Sequence, residues 1–262
     1  MRVWLPAWIV ILAAMAAAIC LASPHEFREF AEFRYMSALP GGGFGVTPDG
    51  QVGFDGAIQM NVPVAYTPCG GNFVGGYWTA STDPWNIHLG TEGPDVNGTA
   101  LVAAGLGSPS HGLYVAFMPT SKESEAVWNL QLQLRRDDWD KPAFAIGVQD
   151  LSDQRDRWPG HPGGARSFYG VATGRLGTDE NFVYITLGWG GGRFHSRPFG
   201  GISWPFHDRF TAMVEYDGYN LNAGLAHSMF SRFADTRFNV VSLFGLTDLS
   251  RPVLGTAITY SR

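Results

Sequence analysis

Residues 209–228 read RFTAMVEYDGYNLNAGLAHS, and this stretch decides the fold class. An Asp217-Gly218 pair lies between two runs in which apolar and polar residues alternate. Asp-Gly between such runs is a strong hairpin signal, because a type I′ turn needs positive φ at both central residues. The stretch therefore predicts two antiparallel strands joined by a tight turn.

Folding the chain about this turn predicts the two faces of the hairpin. Val214 falls opposite Leu221 on an apolar face, and Glu215 falls opposite Asn220 on a face that is polar or small. In a soluble sandwich the apolar face covers a core, whereas in a membrane barrel it contacts lipid and the polar face lines the lumen. The barrel interpretation places Ala212, Val214, Leu221, Ala223 and Leu225 toward lipid. Its candidate lumen-facing polar residues are Arg209, Thr211, Glu215, Asn220 and Asn222.

The start of the chain has the layout of a secretory signal peptide. Met1-Arg2 is followed by an almost wholly apolar run over residues 3–21, and Ala22-Ser23-Pro24 ends it. The alternative is a transmembrane anchor, since the run approaches the length that spans a bilayer. Pro6 and the small residues favour cleavage near Ala22. We therefore predict a signal peptide over residues 1–23 and export to the bacterial outer membrane.

Composition narrows the class of the exported part. The chain has 34 glycines, 14 % aromatic residues and 16 % charged residues, whereas a soluble domain carries about 25 % charged residues. This balance is typical of a transmembrane barrel and also of a glycine-rich sandwich. Cys69 is the one cysteine outside the predicted signal, so the mature chain cannot form an internal disulfide. The net charge of −5 gives no reason to expect a nucleic-acid partner.

From Asp55 onward the sequence repeats short alternating runs separated by turn residues. Such runs occupy residues 58–66, 73–80, 113–117, 128–134, 144–148, 183–189 and 254–260. They predict an all-β, antiparallel transmembrane β-barrel of about 12 strands. The barrel domain would cover residues 51–262, after an irregular or short helical segment over residues 24–50. Residues 83–97 and 151–165 are predicted loops. A secreted β-sandwich that binds carbohydrate through exposed aromatic residues is the alternative.

The C-terminal third carries a resemblance to a known family. It contains, in order, Phe199-Gly200-Gly201-Ile202, Val214-Glu215-Tyr216-Asp217-Gly218 and Asn222-Ala223-Gly224-Leu225. This order resembles the YjbH-like outer-membrane barrel proteins associated with exopolysaccharide production, in which a glycine-containing strand precedes a Glu-Tyr-Asp hairpin and an Asn-x-Gly strand. The resemblance implies an outer-membrane barrel that contacts outer-membrane lipid. It also implies polysaccharide as a candidate partner.

No group of residues in the sequence indicates catalysis. A glycosidase needs two carboxylates that flank a sugar, but the turn explains Asp217 and a lumen explains Glu215. Three further aspartates, Asp137, Asp138 and Asp140, are interpreted as a hairpin tip, because their spacing lacks the glycine and terminal glutamate of a calcium loop. The histidines lack metal-ligand spacing. We therefore predict no enzyme activity, no metal and no cofactor.

The aromatic residues predict a second feature of a membrane barrel. Several tryptophans and tyrosines lie near predicted strand ends, where barrels carry interfacial girdles. The predicted girdle residues are Trp189, Trp204, Tyr216, Tyr219 and Tyr260.

Overall fold

The computed structural model describes residues 37–79, 99–119, 126–138, 141–152, 166–178, 180–194, 196–218, 220–233 and 236–261. The predicted signal peptide and nearly all of the predicted short helical region before Ala38 lie outside the described residues, as do most of the two predicted loops. None of the described residues belongs to a helix long and apolar enough to cross a membrane.

Twelve strands close into one antiparallel barrel, in which neighbours in the chain pair and the last strand pairs with the first. The predicted barrel of about 12 strands is therefore confirmed. The alternative of a two-sheet sandwich is wrong, because a single sheet closes on itself. The wall strands are β3 Phe73–Trp78, β4 Thr99–Ser108, β5 His111–Pro119, β6 Ala126–Arg135, β7 Ala143–Gln149, β8 Ser167–Gly177, β9 Phe182–Gly190, β10 Arg197–His207, β11 Phe210–Tyr216, β12 Leu221–Phe233, β13 Thr236–Thr247 and β14 Arg251–Ser261.

The two ends of the barrel differ in their connections. At one end, here called the turn end, residues 109–110, 136–142, 178–181, 208–209 and 234–235 join neighbouring strands, and β14 ends there at Ser261. At the opposite end, the loop end, residues 79–98, 120–125, 150–166, 191–196, 217–220 and 248–250 join strands. The two longest connections lie at the loop end, and longer loops at one end than at the other are typical of outer-membrane barrels, whose short turns face the periplasm.

The predicted hairpin forms, with a register that differs from the prediction by two residues. Val214 pairs with Ala223 and Glu215 pairs with Asn222, so the connection is the four-residue loop 217–220 and not a two-residue turn. Within this loop the backbone N–H of Asn220 donates to Asp217 Oδ1 at 2.8 Å, and Gly218 has a φ of 97°. Because side chains alternate with a period of two, a shift of two leaves the paired residues of the two strands on their predicted faces.

The outer face of the barrel is apolar. Its exposed large side chains include Val102, Leu132, Ile146, Phe168, Val214, Leu225, Phe244 and Ile258. Among the described side chains, no Asp, Glu, Lys or Arg occupies an outward position between the ends of the strands. The five hairpin residues predicted to face lipid are exposed or half-buried on this face.

The predicted aromatic girdle is only partly reproduced. Trp189, Trp204 and Tyr260 are exposed on the outer face. Tyr216 is buried, and its hydroxyl donates to the carbonyl of Gly218 at 2.9 Å, so its predicted place in the girdle is wrong. Tyr219 lies outside the described residues.

The barrel wall begins at Phe73, and the described residues before it, 37–72, lie inside the barrel. Residues 37–72, here called the lumenal segment, are mostly irregular, with one short ladder between β1 Gly45–Val46 and β2 Val52–Gly53. The wall strand predicted within residues 58–66 is wrong, because these residues are buried in the lumen and form no strand. Their alternation of side chains reflects packing against the inner wall. The predicted boundary of the barrel domain at residue 51 thus falls inside the lumenal segment.

The filled lumen as the candidate functional site

The inner face of β11 and β12 carries three of the five residues predicted to face the lumen. Thr211, Glu215 and Asn222 are each at most 1 % exposed. The Thr211 hydroxyl donates to the carbonyl of Phe54 in the lumenal segment at 3.0 Å. The other two predicted residues lie elsewhere. Arg209 is exposed in the turn before β11, and Asn220 is half-buried in the loop after it.

Glu215 binds the lumenal segment where that segment approaches the loop end. Its Oε2 accepts hydrogen bonds from the backbone N–H groups of Met60 at 2.8 Å and Val62 at 3.2 Å. Its Oε1 accepts from the N–H of Asn61 at 2.8 Å. Successive backbone N–H groups that converge in this way form a concavity suited to an anion. The carboxylate therefore compensates for its burial by accepting three charge-assisted hydrogen bonds.

Asn222 joins Glu215 to Asp217. Its side-chain Nδ2 donates to Glu215 Oε1 at 2.9 Å and to Asp217 Oδ2 at 3.0 Å, and its Oδ1 accepts from the N–H of Asp248 at 3.0 Å. Burial raises the pKa of the Asp217 carboxyl, and the positive charge of Arg193 partly offsets that effect. One amide thus connects β11, the 217–220 loop and the β13–β14 turn.

A second polar cluster fixes the lumenal segment nearer the turn end. The Tyr66 hydroxyl donates to Asp137 Oδ2 at 2.9 Å, and Arg175 Nε donates to the same oxygen at 2.7 Å. As predicted, Asp137 lies at a hairpin tip, between β6 and β7, but its side chain is buried. Its charge is balanced by Arg175 from β8, and Tyr66 from the lumenal segment completes the cluster.

The wall recognises the lumenal segment largely through its main chain. Two wall side chains donate to carbonyls of the segment, Tyr114 to Ala38 and Gln131 to Val64, at 2.9–3.0 Å. Four others accept from its N–H groups at 2.7–3.2 Å: Ser261 from Val52, Ser203 from Ile58, Thr173 from Ala65 and Gln133 from Thr67. The lumenal segment has one short ladder and a few other internal backbone hydrogen bonds, so its remaining buried backbone groups must find partners in the wall. The polar inner face supplies them.

Apolar packing fills the space between these hydrogen bonds. Phe44, Ile58 and Met60 of the lumenal segment form a continuous core with Trp78 and Met118 of the wall. Several wall glycines make room for this core. A Cβ at Gly201 would collide with the Gln59 amide, and one at Gly245 would collide with Met60. The described part of the lumen is therefore a packed interior, as in a soluble domain.

Three further lumen-facing residues carry a signal in the sequence. Asn129, Gln131 and Gln133 alternate with exposed tryptophan and leucine residues in β6, and all three amides are buried in the lumen. A neutral amide on the inner face of a strand can donate to a carbonyl or accept from an N–H group. What the alternation cannot show is that the partner is the chain's own N-terminal part.

No protein-family model matches the chain, and no curated protein sequence matches it.

Proposed function

We propose that the chain is a bacterial outer-membrane β-barrel protein whose lumen is permanently occupied by its own N-terminal part. One observation carries the proposal: the outer face of the closed barrel is largely apolar, while the buried polar side chains of the wall point inward. Water-exposed proteins rarely leave such a continuous apolar surface uncovered. In a membrane the same surface contacts lipid, and barrel closure pairs the backbone groups.

The size of the lumenal core argues against an opening channel. The segment buries Leu39, Phe44, Val46, Val52, Ile58, Met60, Val62, Val64 and Tyr66. Burying one such side chain contributes about 1.5–3 kcal/mol, so the set contributes on the order of 14–27 kcal/mol as an upper estimate, before the entropy of ordering the segment is subtracted. A ligand present at a thousand times its Kd contributes about 4 kcal/mol. Ordinary ligand binding therefore does not displace the whole segment.

Fractionation of cells tests the membrane assignment. The folded chain should sediment with outer membranes, resist extraction by carbonate, and migrate faster on a gel when it is not heated. Recovery of the chain from the periplasm or medium, with no heat-dependent mobility, would contradict it. In planar bilayers the purified chain should add no conductance above that of protein-free detergent, while an open porin serves as the positive control.

We also propose that the barrel has no catalytic activity of its own. The arrangement of Glu215 supports this, because both carboxylate oxygens are engaged by buried donors. Purified chain and its Glu215→Gln variant can be incubated with cell-surface polysaccharides. Hydrolysis by the parent that is lost in a folded variant would contradict the proposal.

A link to cell-surface polysaccharide is the finer part of the proposal, and the hairpin resemblance alone supports it. Because the described lumen is filled, such a link would act at an end of the barrel and not by passage of polymer through it. Deletion of the gene should lower exopolysaccharide output, and the wild-type chain should restore it. Unchanged output after deletion would contradict the link.

A further inference from the structure

A row of polar residues crosses the otherwise apolar outer wall. His227 pairs with Ser242 across β12 and β13, and Ser242 pairs with Thr256 across β13 and β14. All three side chains are outward, with Thr256 exposed and the other two half-buried. The row is bordered by apolar outward residues of the same strands, Leu225, Phe244 and Leu254 on one side and Val240 and Ile258 on the other. Among described side chains, the other polar outward positions lie near strand ends.

The depth of the row makes it unusual for a lipid-facing surface. Each of the three residues is near the middle of its strand, within Leu221–Phe233, Thr236–Thr247 and Arg251–Ser261. The His227 ring stacks on Phe210 at 4.6 Å, and the Ser242 hydroxyl reaches Met229 Sδ at 3.1 Å. These contacts leave the hydrogen-bonding capacity of the imidazole and of the hydroxyl groups largely unused. Polar groups at this depth favour a protein partner over hydrocarbon.

We propose that this polar row is a contact surface between two copies of the chain in the membrane. The proposal rests on the proposed membrane location. Serine and threonine hydroxyls and an imidazole ring can each take part in hydrogen bonds as donor or acceptor, so the row is complementary to itself across a two-fold axis, as an isologous contact requires. The row carries no charged carboxylate or basic chain that would need an opposite charge on a different partner. Lipid headgroups lie at the membrane surface, away from the middle of these strands.

Cysteine cross-linking in native membranes tests the contact with the full chain. In a Cys69→Ala background, Ser242→Cys should form a covalent dimer on mild oxidation. Ile146→Cys is the matched control, because Ile146 is exposed near the middle of β7, six strands away around the ring of twelve. It should remain monomeric. No dimer for Ser242→Cys, equal dimer for both variants, or a link to a chain of another size would overturn the proposal.

Removing the polar groups gives an independent readout. A triple variant, His227→Leu with Ser242→Ala and Thr256→Val, should fold with unchanged heat-dependent mobility. In sedimentation equilibrium in detergent its dimer Kd should rise at least tenfold above wild type, while an Ile146→Ala control, six strands away, should leave it unchanged. Equal Kd values for the triple variant and wild type would overturn the proposal. A monomer that still inserts contradicts only the dimer, whereas a chain that stays out of membranes contradicts the proposed function as well.

Discussion

Glu215 offers the sharpest test of how the wall holds the lumenal segment. Replacing it with alanine removes the acceptor for the N–H groups of Met60, Asn61 and Val62. It also removes one acceptor of Asn222 Nδ2. These donors are buried, and water cannot replace the carboxylate unless the core loosens.

The expected magnitude follows from the number of donors left behind. A buried donor without an acceptor costs about 1–3 kcal/mol, and release of the buried charge offsets part of the total for three backbone donors. We therefore expect Glu215→Ala to lower the free energy of unfolding by about 3–5 kcal/mol. Glu215→Gln keeps one acceptor oxygen at nearly the same volume, so its loss should be smaller, about 1–3 kcal/mol.

The assay is reversible urea unfolding in lipid vesicles, followed by tryptophan fluorescence and by heat-dependent gel mobility. Val214→Ala is the matched control, because Val214 precedes Glu215 in β11 and is 49 % exposed on the outer face. Val214→Ala should lower the free energy of unfolding by less than about 1 kcal/mol. If Glu215→Ala unfolds at the same urea concentration as Val214→Ala, the carboxylate does not hold the lumenal segment.

Four further predictions address other parts of the account. Leu225→Arg should lower the free energy of unfolding in vesicles by about 2–4 kcal/mol, because Leu225 lies mid-strand on the lipid-facing wall. Asp208→Arg, in the exposed turn, should lower it by less than about 0.5 kcal/mol. In the same urea titration Gly201→Ala should lower the free energy of unfolding by about 1–3 kcal/mol, because its Cβ would collide with Gln59. Gly170→Ala is the control and should have little effect, because its Cβ meets nothing within 4 Å. Tyr66→Phe should cost about 1.5–3 kcal/mol by the same measurement, because it removes a hydrogen bond to the charged Asp137. Amino-terminal sequencing of the exported chain should begin near residue 23, and a retained Met1 would contradict cleavage.

The faces of the 209–228 hairpin could be predicted from sequence, but its register could not. Alternation fixes which side chains share a face, and the pairs Val214–Ala223 and Glu215–Asn222 keep those faces. A loop of two or of four residues is equally compatible with the alternation. The longer loop forms because the Asp217 carboxylate accepts from the Asn220 N–H group and also from Asn222. These contacts depend on the folded geometry.

The lumenal segment shows a second limit of sequence patterns. Residues 58–66 alternate as a wall strand would. Alternation indicates that side chains are buried, but it does not indicate which part of the molecule they pack against. The partners of this segment are dispersed over the chain, from Tyr114 to Ser261. Such distant contacts leave no local spacing signal. For the same reason the spacing of Asp137 predicts its hairpin tip but not that Arg175 and Tyr66 surround its carboxylate.

Accessibility of spin labels along β12 tests the central claim most directly, because it reports lipid contact and lumen filling together. Labels are placed singly at residues 223, 225 and 226, and heat-dependent mobility verifies that each variant folds. Labels at 223 and 225 should be relaxed by lipid-soluble oxygen and shielded from a water-soluble nickel chelate. A label at 226, which replaces a fully buried inward alanine, should be shielded from both. Access of the nickel chelate to 226 would show an aqueous lumen, and its access to 223 and 225 would show that the wall does not face lipid.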